Sequence, residues 1–314
     1  MLNEPNPVLL FACEGVDTAA WTAALRTAAP GVDLYVWPDA PDPAGVTYGL
    51  AWANPHGFWR QFPNLRAIFS LGAGVDALLG DQSLPDVPIV RMVDPSLADG
   101  MVEFVVMRTL HHHRLVHLYE QQQADAVWRP QRPPLTGRRI VGVMGLGELG
   151  GRCAQALAAL GFQVRGWSRG PKAIEGVATF HGDAGLEGFA DGCEILVCVL
   201  PLTPQTEGVL NASLFERLAP GACLIQVGRG AHLVEADLLA ALDSGRIAAA
   251  TLDVFRTEPL PAGHPFWRHP AVRVIPHAAA FTYPETAARV VAGNIGRLSR
   301  GEPVPDRVDL RAGY

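Results

Sequence analysis

Short apolar runs recur along the chain, continuous rather than alternating, and each gives way to a glycine- or proline-marked turn and then to a stretch of helical periodicity. A continuous β-branched run reads as a strand buried on both faces, the mark of a parallel sheet covered by helices. In the first third the pattern predicts strands over 8–12, 32–37, 46–53, 67–70 and 89–91, with a helix over 18–29 stopped by Pro30-Gly31. Leu71-Gly72-Ala73-Gly74-Val75-Asp76 reads as a glycine-rich turn into a second helix. These residues form an α/β unit of their own. A single long helix is predicted over 96–119, capped by Ser96 or Asp99, and a proline-rich excursion follows over 129–137. The alternation then resumes. Strands are predicted over 140–144, 162–167, 177–180, 195–200, 222–227, 248–254 and 272–275. Helices are predicted over 153–160, 186–190, 212–218, 235–244 and 286–298, and residues 302–314 read as a polar tail packed on another part of the molecule.

The stretch around which the rest is organised runs from strand 140–144 through Gly145-Leu146-Gly147-Glu148-Leu149-Gly150 into a helix and a second strand. The three glycines have separate physical duties. Gly145 permits the turn, Gly147 leaves the backbone open to a pyrophosphate, and Gly150 lets the helix pack closely on the sheet. The unpaired amides and the dipole of the helix start then face the anion. A G-x-G-x-x-G alone is weak. Strand, helix and second strand at these distances favour a dinucleotide site over a plain βα turn, with a methyltransferase-type nucleotide site as the competitor. An NAD-binding unit carries Asp or Glu about 20 residues on, at the end of the second strand. Here that strand ends Trp167-Ser168-Arg169, with Lys172 behind it. A hydroxyl and a guanidinium suit a 2′-phosphate, so NADP(H) is expected over NAD(H).

Composition changes this picture little. The 314 residues suffice for two domains. Thirty-one acidic against 25 basic residues give a net charge of -6, which points away from a nucleic-acid or acidic-membrane partner. The five cysteines, Cys13, Cys153, Cys193, Cys198 and Cys223, fall mostly on predicted core elements and read as reduced packing residues of a cytoplasmic protein. The N-terminal stretch has no basic segment and too short an apolar run for a secretory leader, and no stretch approaches a membrane span. His111, His112 and His113 would point to different sides of one helix. Only His113 and His117, at i,i+4, could share an ion, and with no further ligand evident no metal is expected.

Candidate chemistry sits where predicted strands end. Arg229 follows strand 222–227, Glu258 lies just beyond strand 248–254, and His277 follows strand 272–275. Each alone suits a bland role: a loop anchor, a solvated turn residue, a satisfied histidine. Together, at the carboxyl ends where open α/β sheets bind ligands, they suit the reduction of a 2-oxo acid. His277 could donate a proton to the carbonyl oxygen, Glu258 could favour its charged form, and the Arg229 fork could clamp the carboxylate and keto oxygen. The amides of Ala73, Gly74 and Val75 could hold the carboxylate from its other side.

The chain resembles the D-isomer-specific 2-hydroxyacid dehydrogenase family over nearly its whole length. The resemblance is carried by Leu71-Gly72-Ala73-Gly74-Val75-Asp76, Gly145-Leu146-Gly147-Glu148-Leu149-Gly150, Trp167-Ser168-Arg169, Val227-Gly228-Arg229-Gly230, Leu252-Asp253-Val254-Phe255, Glu258-Pro259-Leu260-Pro261, Pro276-His277 and the chain end Arg311-Ala312-Gly313-Tyr314. It implies two Rossmann-like or flavodoxin-like doubly wound domains, the dinucleotide-binding one (98–284) inserted into an outer substrate domain (1–97 and 285–314). It implies Arg229, Glu258 and His277 as catalytic residues. It implies Trp52, Ala73 and Gly74, with Arg229 and His277, at the substrate. It implies the glycine turn, residues 167–169, Pro201, Val227, Gly228, Arg229, Asp253 and His277 at the cofactor. It further implies NADPH-dependent reduction of glyoxylate to glycolate and hydroxypyruvate to D-glycerate, by a homodimer. Two rival readings stand beside it. One is a reductase for larger acids such as phenylpyruvate, with Trp52, Trp267 and Phe281 lining an apolar pocket. The other is a dinucleotide-sensing protein without turnover. The chain departs from the wider family at Ala278-Ala279-Ala280, where glycine is frequent, and at Gln226-Val227-Gly228, where asparagine and a small polar residue are.

Overall fold

The computed structural model describes residues 6–40 and 42–313, so the first five residues and Tyr314, on which part of the leader and chain-end readings rest, lie outside it. The chain divides into two compact units, residues 1–97 with 281–314, and residues 98–280. The second passage between units falls at Phe281, a few residues before the 284/285 boundary expected from sequence.

In the first unit the strands are β1 (Val8–Cys13), β2 (Asp33–Val36), β3 (Tyr48–Trp52), β4 (Ala67–Ser70) and β5 (Ile89–Val90). They form one parallel sheet in the order β2-β1-β3-β4-β5, the flavodoxin-like arrangement. Successive β1 residues go to opposite faces. Leu9 and Phe11 join one apolar cluster and Leu10 and Ala12 another, which explains a continuous rather than alternating run. The helices of this unit are α1 (Thr18–Ala28), the one-turn α2 (Asp76–Leu79) and, last in the chain, α9 (Pro284–Ser299). The tail is anchored at the sheet edge, as the sequence suggests. Val308 N–H donates to Ile89 O at 2.8 Å, and Arg307 bridges Val90 in antiparallel sense.

The second unit is built on β6 (Ile140–Met144), β7 (Gln163–Ser168), β8 (Val177–His181), β9 (Ile195–Cys198), β10 (Ala222–Gln226), β11 (Ile247–Leu252) and β12 (Val272–Val274). Their order is β12-β11-β10-β9-β6-β7-β8, all parallel. The direction of winding reverses between β6 and β9, and ligands of such sheets bind beyond the strand ends at that reversal. The covering helices are α3 (Pro95–His113), α4 (Val116–Ala124), α5 (Glu148–Ala159), α6 (Gly182–Ala190), α7 (Ala212–Arg217) and α8 (Glu235–Asp243). Among the described residues no helix is long and apolar enough to cross a membrane.

Two helical expectations change. The helix after β6 begins at Glu148, directly behind Gly147, so the glycine turn itself is the helix start. The helix expected over 96–119 starts at Pro95 and is two helices, α3 and α4, broken at Leu115, which takes the left-handed conformation at φ 60°. Nothing local marks that break, since no glycine or proline stands there. Tertiary contacts demand it. Nine residues of unbroken helix would separate His111 and Glu120 by about 13.5 Å along the axis, yet His111 Nε2 lies 3.0 Å from Glu120 Oε1. The break also divides the histidines. His113 turns toward Phe162 and Arg139, away from the i,i+4 partnership expected with His117.

Candidate active site

The glycine turn leaves β6 with Gly145 at φ 101°, a conformation that side chains avoid, and a Cβ there would also meet the Val199 backbone at 2.8 Å. A Cβ on Gly150 would stand 1.8 Å from Gly145 O, so α5 can approach only through glycine. At Gly147 a Cβ would meet nothing within 4 Å. That glycine is exposed at the start of α5, whose first turn presents unpaired amides. Turn, close packing and open cradle therefore fall on the three glycines as the dinucleotide reading requires. Leu146 is buried against Gly166 and offers only its backbone. Leu149 packs in the core, and Glu148 is exposed at the helix start.

The end of β7 is more specialised than the sequence suggested. The Trp167 indole is buried in the core and donates to Gly182 O at 2.9 Å, so its side chain is structural. The Ser168 hydroxyl is buried and donates to Gly170 O at 2.8 Å. Its proton is committed within the loop, and Arg169 and Lys172 behind it are exposed.

Arg229 is held by a buried polar network on the loop after β10. The Gln226 amide donates to Arg229 O at 2.9 Å and its Oε1 accepts from Gly228 N–H at 3.2 Å. His232, 0% exposed, accepts the Arg229 N–H on Nδ1 at 3.0 Å. Its Nε2 faces Pro201 O at 3.2 Å, so the ring is neutral with its proton on Nε2. Gly230 is obligatory, because a Cβ there would overlap the Phe255 backbone at 1.8 Å. Gln226 and His232 are functional-site supports that the motif pattern did not reveal. The departure at Gln226 is thus explained by loop structure. Pro201, Val227 and Gly228 are part of the same framework, Pro201 through its carbonyl.

The histidine and the glutamate, 19 residues apart, meet directly: His277 Nδ1 lies 2.8 Å from Glu258 Oε2. The other carboxylate oxygen, Oε1, accepts Phe255 N–H at 2.9 Å and fixes the glutamate. His277 has φ 52°, a left-handed backbone uncommon outside glycine. Asp253 sustains it. Its Oδ1 accepts from Ala278 N–H at 2.7 Å and Ala279 N–H at 3.0 Å, while His277 N–H donates to Asp253 O at 2.9 Å. Asp253 is 2% exposed, and with one carboxylate oxygen spent on these amides it serves the turn as well as any ligand.

The electrostatics follow this geometry. The hydrogen bond to Glu258 raises the His277 pKa above its ordinary value despite partial burial. Burial alone would raise Glu258, but the His277 ring and the Phe255 amide hold its pKa below the usual value. Arg229 acts electrostatically on both, lowering each, which places its charge in reach of the pair. Burial pushes the Asp253 carboxyl up, against the Ala278 amide. The result is a histidine biased to its charged form, with Nδ1 turned to the carboxylate.

In the first unit Trp52 packs on Gly72, where a Cβ would lie 2.7 Å from the indole. Trp52 and Gly74 share a small concavity with Ala53, Asn54 and Ser70. The amides of Ala73, Gly74 and Val75 find no acceptor among the described residues. Trp267, exposed, belongs to the second unit and Phe281, exposed, to the first.

Residues 106–279 match the family model described as D-isomer specific 2-hydroxyacid dehydrogenase, NAD binding domain. A glyoxylate/hydroxypyruvate reductase A of Serratia proteamaculans is 44% identical over 300 residues, covering 94% of this chain and 96% of that protein. A D-isomer specific 2-hydroxyacid dehydrogenase of Xanthobacter autotrophicus, crystallised with NADPH and MES, superposes with a TM-score of 0.95 at 46% identity over 98% of this chain and 100% of that one. An NADPH-dependent glyoxylate/hydroxypyruvate reductase of Sinorhizobium meliloti, bound to NADP and sulfate, gives a TM-score of 0.92 at 40% identity, with coverage of 98% and 100%.

Proposed function

The chain belongs to the D-isomer specific 2-hydroxyacid dehydrogenase family, and from that premise we propose that it reduces glyoxylate to glycolate and hydroxypyruvate to D-glycerate with NADPH. The observation that carries this reading is the His277–Glu258 pair at 2.8 Å, held in the same unit as the open glycine turn.

The α5 start and Arg169 would hold NADPH, which when bound would supply hydride chemistry. The chain's own residues do the rest. Arg229 grips the 2-oxo acid through its carboxylate and keto oxygen with paired charge-assisted hydrogen bonds. As negative charge gathers on the keto oxygen, His277 delivers a proton to it from Nε2. Glu258 keeps Nδ1–H and stabilises the charged ring before transfer. Trp52, Ala73 and Gly74 are the proposed substrate contacts of the first unit, with the amides at 73–75 as carboxylate donors.

The test is NADPH oxidation with glyoxylate, hydroxypyruvate and phenylpyruvate side by side, each repeated with NADH. Faster turnover of the two small acids with NADPH supports the assignment. Turnover of phenylpyruvate alone replaces the substrate, and tight NADPH binding without turnover of any acid replaces the enzyme by a sensor. For the cofactor, Arg169→Ala is expected to lower the NADPH-over-NADH ratio of kcat/KM by roughly 10- to 100-fold, the worth of a charged hydrogen bond. An unchanged ratio in Ser168→Asp with Arg169→Ala would remove NADP(H) preference from this loop.

The protein is a homodimer in this proposal. Support comes from the excursion behind α4, where Trp128 is 98% exposed beside exposed Val127 and Leu135. Sedimentation should give twice the chain mass, and Trp128→Asp should shift the population toward monomer. Wild-type protein sedimenting as a monomer would refute it. The cytoplasm is the proposed compartment. All five cysteines are free, and burial pushes the thiols of Cys153, Cys193, Cys198 and Cys223 up to about 12, which makes them inert packing groups.

A further inference from the structure

The break at Leu115 gathers three histidines that no unbroken helix could gather. His111 and His112 end α3 and His117 lies in the first turn of α4. Their ring centroids are 5.4, 5.3 and 6.2 Å apart. Each offers one ligand nitrogen, and these three atoms lie within 4.8 Å of one another. The Nδ1 atoms of all three are buried, and none has a hydrogen-bond partner among the described residues. His112 is 2% exposed. A buried ring nitrogen without a partner is costly, and three in one cluster call for a shared occupant.

The opposite ring nitrogens of His111 and His112 are tied down. His111 Nε2 lies 3.0 Å from Glu120 Oε1, and Glu120 Oε2 is held by Arg273 at 2.7 Å. His112 Nε2 lies 3.3 Å from Thr251 Oγ1 on β11. An imidazole whose outer N–H is anchored on a carboxylate or hydroxyl, with its other nitrogen bare, is the arrangement of a metal-binding histidine. Burial lowers the His112 pKa well below its ordinary value and brings His117 down to about 4. Arg108 and Arg273 face the cluster and oppose further positive charge, and Glu120 offsets them.

We propose that His111, His112 and His117 form a binding site for a divalent transition-metal ion of the zinc type, with a remaining coordination position left to water. Zinc–nitrogen bonds of about 2.0–2.1 Å require the three nitrogens to close by roughly 1 Å through ring rotation. The ion would staple the end of α3 to the start of α4 and, through His112, to β11. Three imidazole ligands suit zinc, cobalt, nickel or copper and not calcium or magnesium, which seek oxygen.

The experiment uses the full chain without a histidine tag, stripped with a chelator and titrated with Co2+ and then Zn2+. One equivalent of Co2+ should bind, develop visible d–d absorption and be displaced by Zn2+, with a rise in Tm. His117→Gln should weaken binding at least about tenfold, while His277→Ala should keep it, separating this cluster from the candidate active site. His112→Gln should do the same as His117→Gln, and if loss of its buried ring prevents folding, His117→Gln alone decides. Failure of the wild type to bind a stoichiometric ion, or undiminished binding by His117→Gln, overturns the proposal and leaves the three ring nitrogens to ordered water.

Discussion

His277→Ala is expected to lower kcat/KM for glyoxylate reduction by roughly 10²- to 10⁴-fold, the usual contribution of a positioned general acid, while NADPH affinity survives. The expectation rests on a ring whose Nδ1 is fixed 2.8 Å from Glu258 and whose Nε2 is the proposed donor. It carries a pH signature with a definite sign. The His277 pKa is raised, chiefly by the bond to Glu258. The reducing form is the protonated one, so kcat/KM should hold at low pH and fall as pH rises through that raised pKa. In Glu258→Gln the charge that raises it is gone, and the fall should move to lower pH. Steady-state profiles of both proteins check this. A profile that does not move, or equal loss of NADPH binding in His277→Ala, would make the pair structural.

Arg229→Ala is expected to cost roughly 10²- to 10³-fold in kcat/KM, since two charge-assisted hydrogen bonds to one substrate contribute about 3–5 kcal/mol. Arg229→Lys should recover only part of this, because an ammonium cannot reproduce the planar fork. The guanidinium donates to Gly228 O at 2.8 Å, but the loop is also braced at its backbone, by Gln226 on Arg229 O and His232 on Arg229 N–H. The substitution should therefore leave the fold and NADPH binding intact. Kinetics with fluorescence titration of NADPH separate the two effects, and loss of both together would assign Arg229 to the framework.

The glycine turn was legible because its demands are local. Gly145, Gly147 and Gly150 answer to a positive φ, an open face and a close helix within a few residues of one another. Arg229, Glu258 and His277 were legible as candidates because each sits just past a strand. The commitment of the Ser168 hydroxyl to Gly170 O was not legible, since it depends on how the loop closes. Trp167 was read at the cofactor, yet its ring belongs to the core and to Gly182 O.

The sequence by itself determined two alternating α/β units, the strand that leads into the dinucleotide turn, and Arg229, Glu258 and His277 as candidates just past strand ends. Strand and helix periods, turn residues and glycine positions act over short stretches of chain, so their signals survive in one dimension. Only the tertiary structure decided the rest. It set the left-handed His277 turn clamped by Asp253 and the Gln226–His232 brace. It also broke the long helix at Leu115 and brought His111, His112 and His117 into one cluster. Each of these depends on hydrogen bonds or packing between groups whose separation in space is fixed by where other elements end. No local pattern encodes that distance.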